Sequence, residues 1–200
     1  MTALETALRQ ICADLTGTHH PFALVGGLAV SARTEPRFTR DADIVVAVAS
    51  DAEAEALLRR LRGAGYEIEA IIQQEAAGRL ATARLTRPRV PTSPIIDLLF
   101  ASSGIEPEIA AEADEIQLLP ELRVRVATTG HLIALKILAR DDVTRPQDVA
   151  DLRALLRVAS PDELTRARTA LTLITERGYH RGRDLHTALE KLEHTQPETR

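Results

Sequence analysis

The chain has one cysteine, two lysines and no long apolar run, and each scarcity excludes something. Cys12 stands alone among 200 residues, so no intrachain disulfide can form and a reducing compartment is expected. A lone thiol of this kind packs as a small hydrophobe. No apolar stretch approaches the ~18 residues of a membrane span, and no basic segment followed by an apolar block opens the chain. The expectation is a cytoplasmic protein with no membrane partner. Lys136 and Lys191 are the only lysines in an arginine-rich chain, which makes Lys136, inside an apolar helix pattern, conspicuous. A net charge of −4 gives no bulk pull towards nucleic acid or anionic lipid, so any polyanion must meet a local basic patch.

Several chemistries are missing as well. There is no G-x-x-x-x-G-K-[ST] phosphate loop, and the pair Gly26-Gly27 lacks the third glycine of a dinucleotide fingerprint. An EF-hand would need a further Asp or Asn after Asp43, where Val45 stands. No Cys/His spacing suggests zinc; His19 and His20 share a turn, but neighbouring side chains diverge and no third ligand lies nearby. The chain has no repeat of 20–50 residues and no low-complexity segment.

What is present centres on residues 22–49. Phe22 to Val25 are an apolar run too short for a helix, punctuated by Gly26-Gly27. Leu28 to Ala32 suit a helix that starts once the glycines have turned the chain, and Thr34, Pro36 and Thr39 end it. Ile44 to Val48 then form a β-branched strand entered through Asp41-Ala42-Asp43. Side chains two apart on a strand share a face, roughly 6.5–7 Å apart at Cα, so Asp41 and Asp43 point the same way. Two carboxylates so close repel unless a divalent cation or a basic neighbour, Arg37 or Arg40, offsets them. The glycines allow backbone N–H groups to approach a phosphate, and the helix start adds partial positive charge.

Around this stretch the pattern predicts an amphipathic helix over 2–15, a helix over 52–62 stopped by Gly63 and Gly65, and strands over 66–72 and 79–85. A Pro-rich loop over 86–94 delivers the chain to the strand 95–100. There Asp97 is the one charge in an apolar run, and an isolated buried carboxylate costs several kcal/mol unless it is paired or metal-bound. Residues 104–113 are a short helix or loop, followed by a strand pair over 116–119 and 122–126. Helices capped by Thr128 or Thr129 and by Ser160, with another over 147–158 and a last one over 184–193, complete the chain. Asp148 and Asp151, three apart on one helix, read as structural carboxylates within reach of Arg145 and Arg153. The expected fold is α+β: a mixed sheet flanked by helices over 1–127, with a helical region, 128–200, packed on it in one compact body.

GGLAVSAR followed by RFTRDADIVV resembles the polymerase-β-type nucleotidyltransferase fold, and within it the AbiEii-like nucleotidyltransferases of bacterial toxin–antitoxin systems. HLIALKILAR and RPQDVADLRALL resemble that family's downstream region, so the resemblance spans roughly Pro21 to Leu156. It implies a third acid on a later strand, which Asp97 supplies, and two Mg²⁺ ions: Asp41 and Asp43 bridge the metals, and Asp97 binds the one that activates the acceptor hydroxyl. It implies an NTP as substrate, for which Gly26, Gly27, Arg33, Arg40 and Lys136 are the candidate contacts; the cluster Arg33, Arg37 and Arg40 reads as binding triphosphate oxygens, an acceptor RNA end, or solvent alone. Lys136 reads either as a phosphate contact or as part of a solvated face. Gly27 departs from the serine that many members carry. The implied acceptor is RNA (tRNA included) or protein, and the implied partner is a cognate antitoxin. A small-molecule (antibiotic-modifying) nucleotidyltransferase and a non-catalytic nucleotide- or partner-binding module are the alternatives. Three carboxylates on one face also imply mutual repulsion before any metal binds.

Overall fold

A computed structural model describes residues 2–74, 77–88, 94–140 and 146–194. Seven strands form one mixed sheet: β1 (Phe22–Val25), β2 (Asp41–Val46), β3 (Glu67–Gln74), β4 (Arg79–Thr86), β5 (Ile95–Leu99), β6 (Asp114–Leu119) and β7 (Leu122–Val126). Their order across the sheet is β3-β4-β5-β2-β1-β7-β6. The pairs β2–β5 and β1–β7 are parallel and the other four are antiparallel. The helices are α1 (Ala3–Thr16), α2 (Gly26–Arg33), α3 (Asp51–Gly63), α4 (Glu106–Glu112), α5 (Thr129–Ala139), α6 (Pro146–Val158), α7 (Pro161–Glu176) and α8 (Leu185–His194). The fold is the α+β arrangement that the sequence pattern predicts. Among the described residues no helix is long and apolar enough to cross a membrane.

Local chemistry accounts for most element starts. Thr2 and Glu5 close a reciprocal capping box on α1. Ser50, Thr128 and Ser160 each accept a backbone N–H at the start of α3, α5 and α7, and Pro161 opens α7. One boundary differs from expectation in a way that matters. Helix α2 starts at Gly26 itself, not at Leu28, because Gly26 takes φ +63 and turns the chain out of β1 within one residue. Strand β2 starts at Asp41, where its pairing with β5 begins, so both acids lie on the strand as the D-x-D pattern predicts. The region 104–113, open between helix and loop, forms α4.

Helix α5 is buried on every side, which its near-continuous apolar sequence explains. It packs on α2, α6, α7 and α8. Gly130 permits the approach of α7: an added Cβ would stand 2.9 Å from Arg166 Cβ and 3.0 Å from the Ala167 backbone N. Buried residues from Leu8 to Leu189 form one continuous core that joins sheet and C-terminal helices. Cys12 lies in that core, and burial pushes its thiol up to about 12, which keeps it protonated and inert.

Candidate active site

The parallel register of β2 and β5 sets Asp43 directly beside Asp97, with Asp41 two residues earlier on the same strand, beside Ile95. Fifty-odd residues of chain separate these acids, yet the sheet places all three on one face of adjacent strands. They line a cleft of about 780 Å³ together with Gly26, Gly27, Arg37, Thr39, Arg84 and Lys136. Gln73, Gln74 and Thr82 on the β3–β4 side and Leu132 and Leu135 of α5 complete much of its wall.

Gly26 and Gly27 shape the cleft in different ways. A Cβ on Gly26 would overlap the Asp43 carboxylate and stand 2.6 Å from its Cγ, so the missing side chain is what lets Asp43 lie over the helix start. Val25, at the N-cap, makes no side-chain hydrogen bond to the first turn of α2, so no side chain of the cap residue covers those amides. A Cβ on Gly27 would meet Arg37 Nη2 at 2.7 Å and Thr39 Oγ1 at 3.1 Å. The guanidinium of Arg37 therefore occupies the space where a side chain at position 27 would sit, a physical reason for glycine there.

The three arginines of the basic connector separate. Arg37 donates to Asp151 Oδ2 at 2.8 Å, and its Nε is buried without a hydrogen-bond partner among the described residues. Arg33 is drawn away from the cleft: it donates to the carbonyls of Ala127 and Val126 at 3.0 and 2.9 Å and pairs with Asp114 at 2.7 Å. The last turn of α2 faces the end of β7, where those carbonyls lie at the end of the strand. Arg40 is exposed and stacks its guanidinium over the Phe38 ring, 5.7 Å from the centroid. The structure thus brings Gly26, Gly27, Asp41, Asp43, Asp97 and Lys136 to one cleft and leaves Arg33 and Arg40 outside its lining.

Lys136 reaches the cleft wall already engaged. Its Nζ lies 2.6 Å from Asp148 Oδ1 and 2.7 Å from Asp151 Oδ2, all three side chains being buried. Both acids are the structural carboxylates that the sequence suggests, but they are buried and turned inward to Lys136 of α5; Arg145, one of the partners expected, lies outside the described residues. Burial alone would raise the Asp151 carboxyl, but the ion pairs with Lys136 and Arg37 outweigh it and hold the group below the usual carboxylate range. Asp151 is therefore the junction through which α6 positions both Lys136 and Arg37.

One residue of the cleft gave a signal that sequence reasoning passed over. Arg84 of β4 is the register partner of Asp97, and its fork takes both carboxylate oxygens, Nε to Oδ1 at 2.9 Å and Nη2 to Oδ2 at 2.8 Å. The expected picture of three mutually repelling carboxylates is thereby corrected, because a cation is built in. Hydrogen bonding to Asp97 and then the charges of Asp97, Asp41 and Asp43 raise the Arg84 pKa further above its already high value. Its clue was a charge in the interior of RLATARLT, whose other arginine, Arg79, only opens the strand, set against the lone charge of IIDLLF. Among the described residues no three acidic, His or Cys side chains stand grouped to hold a metal as they are, and both Asp97 oxygens are taken by Arg84. The donor chemistry itself, oxygen-only carboxylates on one face, suits a hard divalent cation such as Mg²⁺.

Comparison with known proteins adds to this geometry. The profile of the family described as "Nucleotidyl transferase AbiEii toxin, Type IV TA system" matches residues 6–200. No curated protein sequence matches the chain. Among solved structures, the chain is similar to the antibiotic-resistance factor ANT(2'')-Ia, at 16% identity over 96% of this chain and 97% of that one, with a TM-score of 0.54. The same factor in complex with adenylyl-2''-tobramycin gives 15% identity over 88% and 99%, with a TM-score of 0.57. An antigenic nucleotidyltransferase-like protein from Paracoccidioides brasiliensis gives 20% identity over 94% and 92%, with a TM-score of 0.55. At these identities the likeness is one of fold.

Proposed function

The chain belongs to the AbiEii nucleotidyltransferase toxin family, and from that premise we propose that it transfers a nucleoside monophosphate from an NTP to an acceptor hydroxyl in the cleft of Asp41, Asp43 and Asp97. The observation that carries this reading is the register of Asp43 against Asp97, facing the uncapped start of α2. In the transfer, an acceptor oxygen forms a bond to the α-phosphorus, the bond to the β-phosphate bridging oxygen breaks, and pyrophosphate leaves. Such reactions depend on positioning and charge stabilisation more than on covalent catalysis.

The backbone N–H groups at the start of α2 bind phosphate oxygens, and Arg37, held by Asp151, adds a fixed guanidinium beside them. Asp41, Asp43 and Asp97 would hold divalent metal, and Asp97 would take up the acceptor hydroxyl proton. Two Mg²⁺ ions in such a site supply Lewis-acid stabilisation of the attacking and leaving oxygens. Lys136 serves first to order Asp148 and Asp151, and through Asp151 the phosphate-side arginine.

The acceptor is RNA or protein, and the physiological role is that of a toxin with a cognate antitoxin, in keeping with the family. Incubation with each labelled NTP and total cell RNA or protein, with and without Mg²⁺, tests the reading. Label transfer that requires Mg²⁺ and is lost in Asp43→Asn supports it. Transfer that persists in Asp43→Asn defeats it.

A further inference from the structure

We propose that Arg84 is the resident counter-ion of the carboxylate cluster, and that a divalent cation loads onto Asp97 by displacing it. The inference rests on the metal-dependent reading above. Four observations lead to it. Arg84 and Asp97 are register partners on adjacent antiparallel strands, so their pairing is imposed by the sheet and not by chance side-chain placement. The fork is two-pointed and occupies an oxygen on each side of the carboxylate, the same oxygens a metal would need. A guanidinium stays charged at any ordinary pH, so it can leave only by moving, not by losing a proton. Finally, the Arg84 side chain is 43% exposed while that of Asp97 is 13% exposed, so the cation has solvent to swing into and the carboxylate stays in the cleft.

The neighbouring acids decide what this pairing does. Asp41 and Asp43 share the face with Asp97 and attract the same guanidinium. In the metal-free protein Arg84 relieves the repulsion among the three and keeps the sheet edge of the cleft intact. The same charge competes with an incoming cation, so Arg84 weakens metal binding at the very group that completes the site. Once displaced, it remains tethered to β4 in the cleft wall beside Thr82 and Gln73, where a phosphate-bearing ligand can hold it. A cross-strand pair that served the sheet alone would leave metal affinity unchanged on removal, or reduce it by loosening Asp97.

The test is Mn²⁺ binding, by calorimetry and by electron paramagnetic resonance of free Mn²⁺, to the full chain and to R84Q, R84M and D43N. R84Q is expected to bind Mn²⁺ roughly two- to fivefold more tightly than the wild type, the range expected for removing one partly exposed competing pair. D43N is expected to lose the site. Equal or weaker binding by R84Q, with binding still lost in D43N, overturns the proposal and leaves the metal-dependent reading standing. If neither the wild type nor any variant binds Mn²⁺, the metal reading fails and this inference with it. Should R84Q fail to fold, as judged by circular dichroism, R84M carries the test, since it keeps the aliphatic stem and loses the charge. Tighter binding by R84M than by the wild type supports displacement; equal or weaker binding overturns it.

Discussion

Replacing Gly26 and Gly27 by alanine, one at a time, separates two uses of glycine that the sequence alone merges. At Gly26 the backbone holds φ +63, and an L-residue there costs roughly 1–2 kcal/mol. The new Cβ would also overlap the Asp43 carboxylate and lie 2.8 Å from Asp43 Cβ, so the acid must rotate off the helix start. Together these give about 2–4 kcal/mol of destabilisation, adding about 1–2 kcal/mol of overpacking. For a chain of 200 residues that corresponds to a fall in Tm of roughly 5–12 °C. At Gly27 the nearest obstacle is the tip of a flexible side chain, Arg37 Nη2 at 2.7 Å, and no positive φ is involved. Gly27→Ala is therefore expected to melt within about 3 °C of the wild type. Its effect falls on nucleotide binding, since Arg37 must leave the helix start. Scanning calorimetry measures the first quantity, and titration with a non-hydrolysable NTP and with Mn²⁺ measures the second. Gly26→Ala should lose Mn²⁺ affinity through Asp43, and Gly27→Ala should keep it while losing NTP affinity. If Gly26→Ala melts with Gly27→Ala and binds Mn²⁺ like the wild type, the placement of Asp43 over Gly26 has no functional weight.

Three further outcomes are expected. Asp43→Asn abolishes nucleotide transfer while circular dichroism and Tm stay near wild type, because only one charge of a half-buried carboxylate is removed; wild-type turnover at saturating Mg²⁺ would sink the assignment. Asp97→Ala loses transfer yet keeps NTP affinity within about threefold by calorimetry, since Gly26, Gly27 and Arg37 remain; a parallel loss of both would place Asp97 in the nucleotide subsite. Asp151→Asn lowers stability at pH 7 by roughly 2–4 kcal/mol, because it strips one carboxylate from buried Lys136 and from Arg37. The Asp151 carboxyl is held below its unfolded value, so its contribution is complete above about pH 4 and is lost as pH falls through the folded value. The wild type should thus lose more Tm than Asp151→Asn on acidification below about pH 4, and parallel pH–Tm curves would refute the ion-pair account.

The α+β class, the Gly-Gly turn, the D-x-D strand and the helical C-terminal region could be read from the sequence because each rests on local periodicity or punctuation. Phe22 to Val25 cannot be a helix of useful length, Gly26 breaks the pattern, and the apolar run around Asp97 is unmistakable as a strand. Partner choice among charges could not be read in that way. Arg33, Arg37 and Arg40 look equivalent in the string RTEPRFTR, yet they end on β7 carbonyls, on Asp151 and on the Phe38 ring. Asp148 and Asp151 have arginines nearby in sequence, but their helix turns them inward to Lys136, 12 and 15 residues upstream in the chain. Arg84 meets Asp97 only because β4 and β5 pair in one register, a shift of one residue being enough to turn the side chain to the opposite face. Hydrophobic pattern acts over a few residues and is written in the chain; an ion pair is settled by which strands and helices end up adjacent, and only the packed sheet decides that.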